Sequence, residues 1–319
     1  MKRILLIILY NTAAVILLFL VLEFLVRIFV PGIRLQGTDV SLFEDNIYYS
    51  SAGLKPNTSG VSNGAMIYTD KYGFRKNRTS FDKTKKSILL LGDSVTMGIG
   101  IETDSTFSSI LQDSLESPNI LNPSMFGYNI QDYKNLLNYF LSKGELQITH
   151  VVICWCLNDI YDKSINAFEV PGRSIRYFFG DILSWLSNSS CLYTYIKTLV
   201  SDRSKGYYIF DSKLYRNKKL LERSVFILNE MKMKCRESRI QFSVLLLPYE
   251  YQLRVNKPYP LIILEKSLTE NGIEVINAFP FFKNQNINSK SFYLYGDGIH
   301  FSNAGHKVIA AALYRDLKN

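Results

Sequence analysis

The sequence predicts an α/β protein, a three-layer α/β/α sandwich with a mainly parallel sheet, preceded by a transmembrane helix. Three observations support this. From Ser87 onward, strand-like and helix-like stretches alternate. The apolar run 88–91 is typical of a strand buried on both faces. Residues 4–30 are almost entirely apolar. Alternating strands and helices favour a parallel sheet with helices packed on both sides.

Five strands and five helices are predicted in this alternating region. The predicted strands are Ser87–Leu91, Asn119–Asn122, His150–Trp155, Gln241–Leu247 and Ile273–Asn277. The predicted helices are Ser105–Leu115, Gln131–Leu141, Lys219–Ser238, Pro260–Asn271 and Asn303–Leu317. Residues 159–217 interrupt the alternation with a long, aromatic-rich insertion, and long insertions after a strand are often functional. Two interpretations stay open, a small helical cap with its own core or a lid that contacts substrate through aromatic faces.

The amino-terminal segment, residues 1–30, is predicted to be an uncleaved signal anchor. Its apolar stretch is long enough to cross a bilayer and longer than the apolar region of a cleaved signal. Glu23 and Arg27 are spaced to neutralise each other near one interface. A cleaved signal peptide is the alternative, although no small-x-small site precedes Pro31. The short amino-terminal flank predicts that the large domain lies outside the cytoplasm.

Residues 31–86 read as a strap of turns and short strands that packs on a domain formed by residues 87–319. The composition of the strap is rich in Gly, Ser, Asn and Tyr, with little helical periodicity. Gly73, between Tyr72 and Phe74, is expected at positive φ in a specific turn.

Composition and spacing give no sign of a nucleic-acid-binding protein, a disulfide framework or a metal site. With 319 residues and 47% hydrophobic residues, the chain can bury a full core. The net charge is +9, but the basic residues are scattered and no nucleic-acid-binding motif is present. Attraction to anionic lipid or glycan explains the charge equally well. The four cysteines make no disulfide framework: Cys154 and Cys156 read as core residues, and Cys191 and Cys235 could pair in an oxidising compartment. No spacing indicates a metal site.

Ser94 follows the buried strand 87–91 at the place where open α/β sheets bind ligands. The glycines around it match neither the dinucleotide fingerprint nor the P-loop. The nucleophile elbow G-x-S-x-G is also absent, because Thr96 stands where its second glycine is needed. A loop serine that caps the next helix is the simplest interpretation of this stretch alone.

Three further blocks change that interpretation. They are Asn122–Gly127 after a strand, Leu157–Asp159 at the end of the strand 150–155, and Asp297–His300 just before the last helix. Together with Gly92-Asp93-Ser94, these blocks resemble the four ordered blocks of the SGNH hydrolase superfamily, also called GDSL-type esterases. The resemblance covers Ser87 to about Leu317 apart from the insertion, and its membrane-anchored members share a similar amino-terminal segment.

The resemblance implies a role for five residues. It makes Ser94 the nucleophile, His300 the base and Asp297 the acid that orients His300. The backbone amides of Ser94 and Gly127 and the side-chain amide of Asn158 would form the oxyanion hole. It also implies a flavodoxin-like, five-stranded sheet and no cofactor or metal. One departure is that Cys156 replaces the usual glycine of the third block, which could alter the pocket beside Asn158.

The residue types agree with these roles. A serine hydroxyl needs a nearby base, and an imidazole oriented by a carboxylate supplies one. Of the three histidines, His150 is expected to be a satisfied residue at a strand edge and His306 a structural residue of the last helix. Asp93 and Asp159 are expected to brace their loops through backbone hydrogen bonds.

Three functions follow from these residues. The first is a membrane-anchored serine esterase that removes acyl groups, acetyl foremost, from a glycan or lipid outside the cytoplasm. The second is an O-acetyltransferase of surface polysaccharide, which uses the same acyl-enzyme and a lid that excludes water. The third is a non-catalytic glycan-binding or assembly protein on a hydrolase scaffold. The oligomeric state is left open.

Overall fold

The computed structural model describes residues 2–115, 117–161, 182–183 and 185–318. Helix α1, Lys2–Phe29, has 28 residues, and its most apolar window has a mean hydropathy of 2.8 with none of it buried against the domain. A helix of this length extends about 42 Å, more than the roughly 30 Å of a hydrocarbon core. The helix is therefore long and apolar enough to span a membrane.

Two antiparallel hairpins follow α1 and form the strap. Their strands are β1 (Phe43–Tyr48), β2 (Ser51–Leu54), β3 (Ser59–Ser62) and β4 (Ala65–Tyr68). Gly73 has a φ of +77°, and a Cβ at this position would lie 2.3 Å from the carbonyl oxygen of Leu54. The prediction of a turn that requires glycine here is confirmed.

The core of the domain is a sheet of five strands that are all parallel. They are β5 (Ser87–Leu91), β6 (Asn119–Leu121), β7 (Ile148–Trp155), β8 (Gln241–Leu246) and β9 (Glu274–Asn277). Their spatial order is β6-β5-β7-β8-β9, the 2-1-3-4-5 order of flavodoxin-like sheets. All five residues of β5 are buried, as expected for a strand with helices on both faces. The predicted fold class is confirmed.

The helices of the described part of the domain include α2 (Ser94–Met97), α3 (Phe107–Leu115), α4 (Ile130–Lys143), α5 (Cys191–Val200), α6 (Arg203–Leu214), α7 (Lys218–Glu237), α8 (Glu250–Arg254), α9 (Leu261–Glu270), α10 (Phe279–Lys283) and α11 (Asn303–Leu317). Of these, α3, α4, α7, α9 and α11 agree with the five predicted helices to within a few residues, whereas the others have no predicted counterpart. The chain reverses its direction of winding between β5 and β7. This switch point is where parallel sheets of this type form their crevice.

The described part of the insertion is helical. We call helices α5 and α6 the cap. Cys191 and Leu192 of α5 pack in a small cluster with Val26 of α1, whereas Tyr207 and Tyr208 of α6 pack against the core of the domain. The described cap is helical, as one interpretation predicted, but it has no separate core of its own. Four of the aromatic residues that motivated the lid interpretation, Phe168, Tyr177, Phe178 and Phe179, lie outside the described residues. All four cysteine thiols are free and buried, so Cys191 and Cys235 do not pair in this structure.

The cap is attached to the amino-terminal helix by one carboxylate. Glu23 of α1 accepts hydrogen bonds from Ser190 Oγ (2.8 Å) and from the backbone amides of Cys191 (3.0 Å) and Leu192 (2.8 Å). These amides belong to the first turn of α5, whose N–H groups have no partner within the helix. The Glu23 side chain also forms an ion pair with Arg27 at 2.7 Å. Helix α1 therefore caps the first turn of α5.

The strap holds the loop after β5 through a buried guanidinium. Arg75 is 1% exposed and donates hydrogen bonds to the carbonyl oxygens of Met97 (2.7 Å), Gly98 (2.9 Å) and Ile101. Burial lowers the pKa of Arg75 to about 10, so the group remains charged at neutral pH. The strap thus fixes the segment that carries Ser94.

Candidate active site

The turn that presents Ser94 is shaped by its two preceding residues. The Asp93 carboxylate accepts a hydrogen bond from the backbone N–H of Val95 at 2.9 Å and caps the short helix α2. A Cβ at Gly92 would lie 2.0 Å from Thr96 Oγ1, so no larger residue fits there. Ser94 is therefore presented, half-buried, at the carboxyl end of β5.

His300 and Asp297 lie on a loop that a backbone hydrogen bond closes, from the N–H of Leu294 to the carbonyl of His300 at 2.8 Å. Ser94 Oγ lies 2.8 Å from His300 Nε2, and His300 Nδ1 lies 3.0 Å from Asp297 Oδ2. The other carboxylate oxygen of Asp297 accepts from the backbone amides of Ile299 (2.9 Å) and His300 (2.8 Å). Residues 206 positions apart are thus joined in one hydrogen-bonded row.

The charges of this row support each other. Burial by itself raises the pKa of Asp297, but the charge of His300, the hydrogen bond from His300 and the charge of Arg203 hold it well below its usual value. Burial by itself lowers the pKa of His300, but the charge and hydrogen bond of Asp297, together with the charge of Asp93, raise it above 6.5. Asp297 is therefore ionised at neutral pH, and it stabilises a protonated His300.

Asn158 lies beside this row, in the turn after β7. Its Nδ2 donates to Asp93 Oδ2 at 2.9 Å, and its Oδ1 accepts from the hydroxyl of Tyr249 at 3.2 Å. Because an amide nitrogen carries two hydrogens, one N–H remains for another acceptor. Cys156, which replaces the usual glycine, is 1% exposed within the core cluster and does not line an open surface beside Asn158.

Gly127 lies in the exposed loop after β6, with a φ of +79° and no atom within 4 Å of the position of a Cβ. Among the hydrogen bonds of the described residues, none joins it to the four side chains above. The sheet order nevertheless places its loop on one side of β5 and the Asn158 turn on the other. Ser94 therefore lies between the other two predicted oxyanion donors, Gly127 and Asn158.

The sequence predicted no role for two residues of this network, Tyr249 and Asp211. Tyr249 follows β8 and, besides its bond to Asn158, donates to Asp211 Oδ2 at 2.7 Å. Tyr161 donates to the other oxygen of Asp211 at 2.9 Å. The position of Tyr249 just after a strand is a signal that could have been used. Nothing in the sequence around Asp211 marks it, because it lies among the aromatic residues of the insertion.

Asp93 and Asp159 accept backbone hydrogen bonds in their loops, as the sequence suggested. Asp159 Oδ2 accepts from the N–H of Cys156 at 2.6 Å, and its Oδ1 accepts from the hydroxyl of Tyr133 at 2.5 Å. Burial and the nearby charge of Asp93 raise the pKa of Asp159 well above its usual value. Asp93 therefore shapes the turn that carries Ser94, and Asp159 shapes the turn that carries Asn158.

The other two histidines are buried and hydrogen-bonded elsewhere. His306 Nδ1 accepts from the backbone N–H of Phe107 at 3.0 Å, and burial lowers its pKa to about 3. His150 Nε2 lies 2.8 Å from Ser243 Oγ, and burial lowers its pKa to about 4. The predicted edge position of His150 is wrong, because it is the third residue of the central strand β7. Both rings are neutral at physiological pH.

No protein-family model matches the sequence, and no curated protein matches it. Several solved structures are similar in fold. They include a lipolytic protein of the G-D-S-L family from Desulfitobacterium hafniense DCB-2 (14% identity, TM-score 0.44, covering 72% of this chain and 98% of that chain). Another is the psychrotrophic esterase EstA from Pseudoalteromonas sp. (16% identity, TM-score 0.43, covering 73% of this chain and 97% of that chain). A third is the acetylxylan esterase Axe2 from Geobacillus stearothermophilus (12% identity, TM-score 0.43, covering 75% of this chain and 97% of that chain).

Proposed function

We propose that this protein is a serine hydrolase of the SGNH type that cleaves acyl esters. The observation that carries the proposal is the continuous row from Ser94 Oγ through both nitrogens of His300 to Asp297, with bonds of 2.8 and 3.0 Å. This is the arrangement in which an imidazole can remove the serine proton while a carboxylate fixes its tautomer. The four ordered sequence blocks support the same assignment.

Each step follows from these contacts. Ser94 Oγ attacks the ester carbonyl carbon as its proton moves to His300 Nε2, and the carbonyl electrons move onto oxygen. Collapse of this intermediate re-forms the carbonyl and breaks the bond to the leaving alcohol, which takes the proton from His300. Water then repeats the sequence on the acyl-enzyme and releases the carboxylic acid and free Ser94. Asp297 stabilises the imidazolium ion in both halves.

The negative charge that develops on the carbonyl oxygen needs fixed donors. We assign these to the backbone amides of Ser94 and Gly127 and to the free N–H of Asn158. The bonds from Asn158 to Asp93 and Tyr249 fix its amide before substrate arrives. A fixed donor of this kind typically contributes roughly 2.7–4 kcal/mol to the transition state.

The substrate that we propose is an O-acylated glycan or lipid outside the cytoplasm, with acetyl as the acyl group. The length and apolar composition of α1 support an anchored enzyme. The orientation is tested by fusing alkaline phosphatase, which is active only outside the cytoplasm, to Asn319. An inactive fusion, with a cytoplasmic reporter active instead, would reverse the orientation.

The hydrolase proposal is tested with the full chain in detergent. We expect hydrolysis of 4-nitrophenyl acetate and labelling by a fluorophosphonate, both abolished by Ser94→Ala. Ser114→Ala is the matched control, because Ser114 lies on the outer surface of α3 and bonds only the carbonyl of Ile110. Equal rates for Ser94→Ala and wild type would refute the mechanism. Product analysis with 4-nitrophenyl acetate as the acetyl donor and an unacetylated oligosaccharide as the acceptor separates the two acyl-transfer outcomes: free acetate alone supports hydrolysis, and acetylated sugar supports the transferase.

A further inference from the structure

A cavity lies between the loop that carries Asp297 and the cap. It has a volume of about 430 Å³, and both Asp297 and Gly298 line it. A Cβ at Gly298 would lie 2.4 Å from Ser204 Cβ, which shows how closely the cap approaches the loop. The cavity therefore borders the acid end of the catalytic row that we propose, at Asp297, whereas Ser94 and His300 do not line it. A substrate that occupies both places has to extend past the loop that carries Asp297.

The carboxylates that line this cavity already have partners. Asp202 Oδ1 and Oδ2 both accept from Arg254 Nη2 at 2.9 Å. Glu250 forms an ion pair with Arg254 at 3.1 Å and accepts from Ser289 Oγ at 2.7 Å. Asp297 is saturated by His300 and two backbone amides. The charge of Arg203 also acts on Asp297 and that of Lys290 on Asp202, but no hydrogen bond joins either pair among the described residues.

Three donors on the cavity wall have no hydrogen-bond partner among the described residues. Ser204 is 7% exposed and its Oγ makes no hydrogen bond. Arg203 donates to Tyr207 through Nη2 at 2.7 Å, whereas its buried Nη1 makes no bond. The ammonium of Lys290 stands at the exposed rim, where its charge acts on Asp202 but makes no hydrogen bond to a described residue. Leaving a buried donor without an acceptor costs about 1–3 kcal/mol, which favours a ligand that supplies oxygen acceptors.

We propose that this cavity is an anion subsite that binds a carboxylate or phosphate group of the substrate. The anionic oxygens accept from Arg203 Nη1 and Ser204 Oγ, and Lys290 supplies the compensating charge at the rim. A planar guanidinium is well matched to either oxyacid. Exposed Leu199, Val200 and Tyr295 at the mouth offer an apolar surface for the sugar ring or chain that carries the acid. The inference depends on the proposed esterase function for its substrate but not for its binding site.

The kinetic test uses three monoacetylated methyl glucosides: the neutral sugar, the glucuronide and the 6-phosphate. We expect the full chain to show a kcat/KM at least tenfold higher for one or both acidic esters than for the neutral ester. Lys290→Glu should reduce this acidic-to-neutral ratio at least tenfold. Lys234→Glu, an exposed residue of α7 with the same charge change, should keep the wild-type ratio. The two acidic substrates distinguish a carboxylate from a phosphate ligand.

Two results would overturn the subsite. One is a wild-type ratio near one, and the other is an equal loss of the ratio in Lys234→Glu, which would show general charge attraction. If no variant hydrolyses any ester, the proposed function fails, and calorimetry with inorganic phosphate and Ser94→Ala decides the subsite alone. In Ser94→Ala, phosphate binding that a second substitution Lys290→Glu abolishes, and that Lys234→Glu leaves intact, supports the subsite. No heat of phosphate binding refutes it.

Discussion

Removal of the Asn158 side chain should separate catalysis from folding more clearly than any other single change. Asn158→Ala deletes one of the three proposed oxyanion donors, and we expect kcat to fall about 10²–10³-fold, or roughly 2.7–4 kcal/mol. The substitution also removes the 2.9 Å hydrogen bond to Asp93. A hydrogen bond to a charged group contributes about 1.5–3 kcal/mol, so the free energy of unfolding should fall by about that amount.

Tyr249→Phe is the matched control. It removes the 3.2 Å bond to Asn158 and the 2.7 Å bond to the buried Asp211. The loss of stability should therefore be about 1.5–3 kcal/mol, comparable with that of Asn158→Ala. The donor itself remains, held by Asp93, so we expect kcat to fall less than tenfold.

The measurements are kcat on 4-nitrophenyl acetate and urea unfolding, both with the full chain in detergent. A kcat of Asn158→Ala within threefold of wild type would show that Asn158 is not an oxyanion donor. Equal losses of kcat in the two variants would show that kcat follows stability and not the donor.

Three further predictions concern the parts that support the site. Arg75→Met leaves three buried carbonyls without their charged donor and should lower the free energy of unfolding, measured by urea titration, by about 3–5 kcal/mol. Arg236→Met, on the exposed face of α7, should change that free energy by less than about 0.5 kcal/mol. Neutral His300 is the base and Asp297 raises its pKa, so kcat/KM should fall as the pH drops through an inflection above 6.5. Asp297→Asn should move that inflection to lower pH and reduce kcat by about 10³–10⁴-fold. An inflection that does not move would contradict the pairing of His300 with Asp297. Glu23→Ala removes three bonds from the first turn of α5, and amide exchange across 191–200 should accelerate about tenfold, equivalent to ~1.4 kcal/mol; unchanged protection would show that α1 does not stabilise the cap.

The predictable part of the fold is the part that local chemistry specifies. Runs such as 88–91 are apolar on both faces, and a chain that alternates such runs with amphipathic helices can bury them only in a covered parallel sheet. The buried strands β5 and β7 and the helix α11 accordingly agree with the sequence pattern. The requirement for glycine at position 73 is also local, because it follows from a turn geometry.

The candidate catalytic residues are predictable for a different reason. Ser94, Asn158 and His300 lie in short blocks whose order resembles one superfamily, and two of them directly follow buried strands. The ends of parallel strands meet at one edge of the sheet, so residues at those ends are expected to converge. Sequence reasoning misplaced His150 at a strand edge, because the number of strands on each side is not a local property.

The α/β class and the apolar amino-terminal helix follow from the sequence, because each depends on short stretches of the chain. The residues of the proposed catalytic row also follow from it, because they lie in short blocks whose order resembles one superfamily. Only the tertiary structure decided that Tyr249 and Asp211 support Asn158, that Glu23 caps the first helix of the insertion, and that Arg203, Ser204 and Lys290 face one cavity. Such contacts join residues far apart in the chain, and their distances depend on how whole helices pack against the sheet. No local pattern encodes that packing.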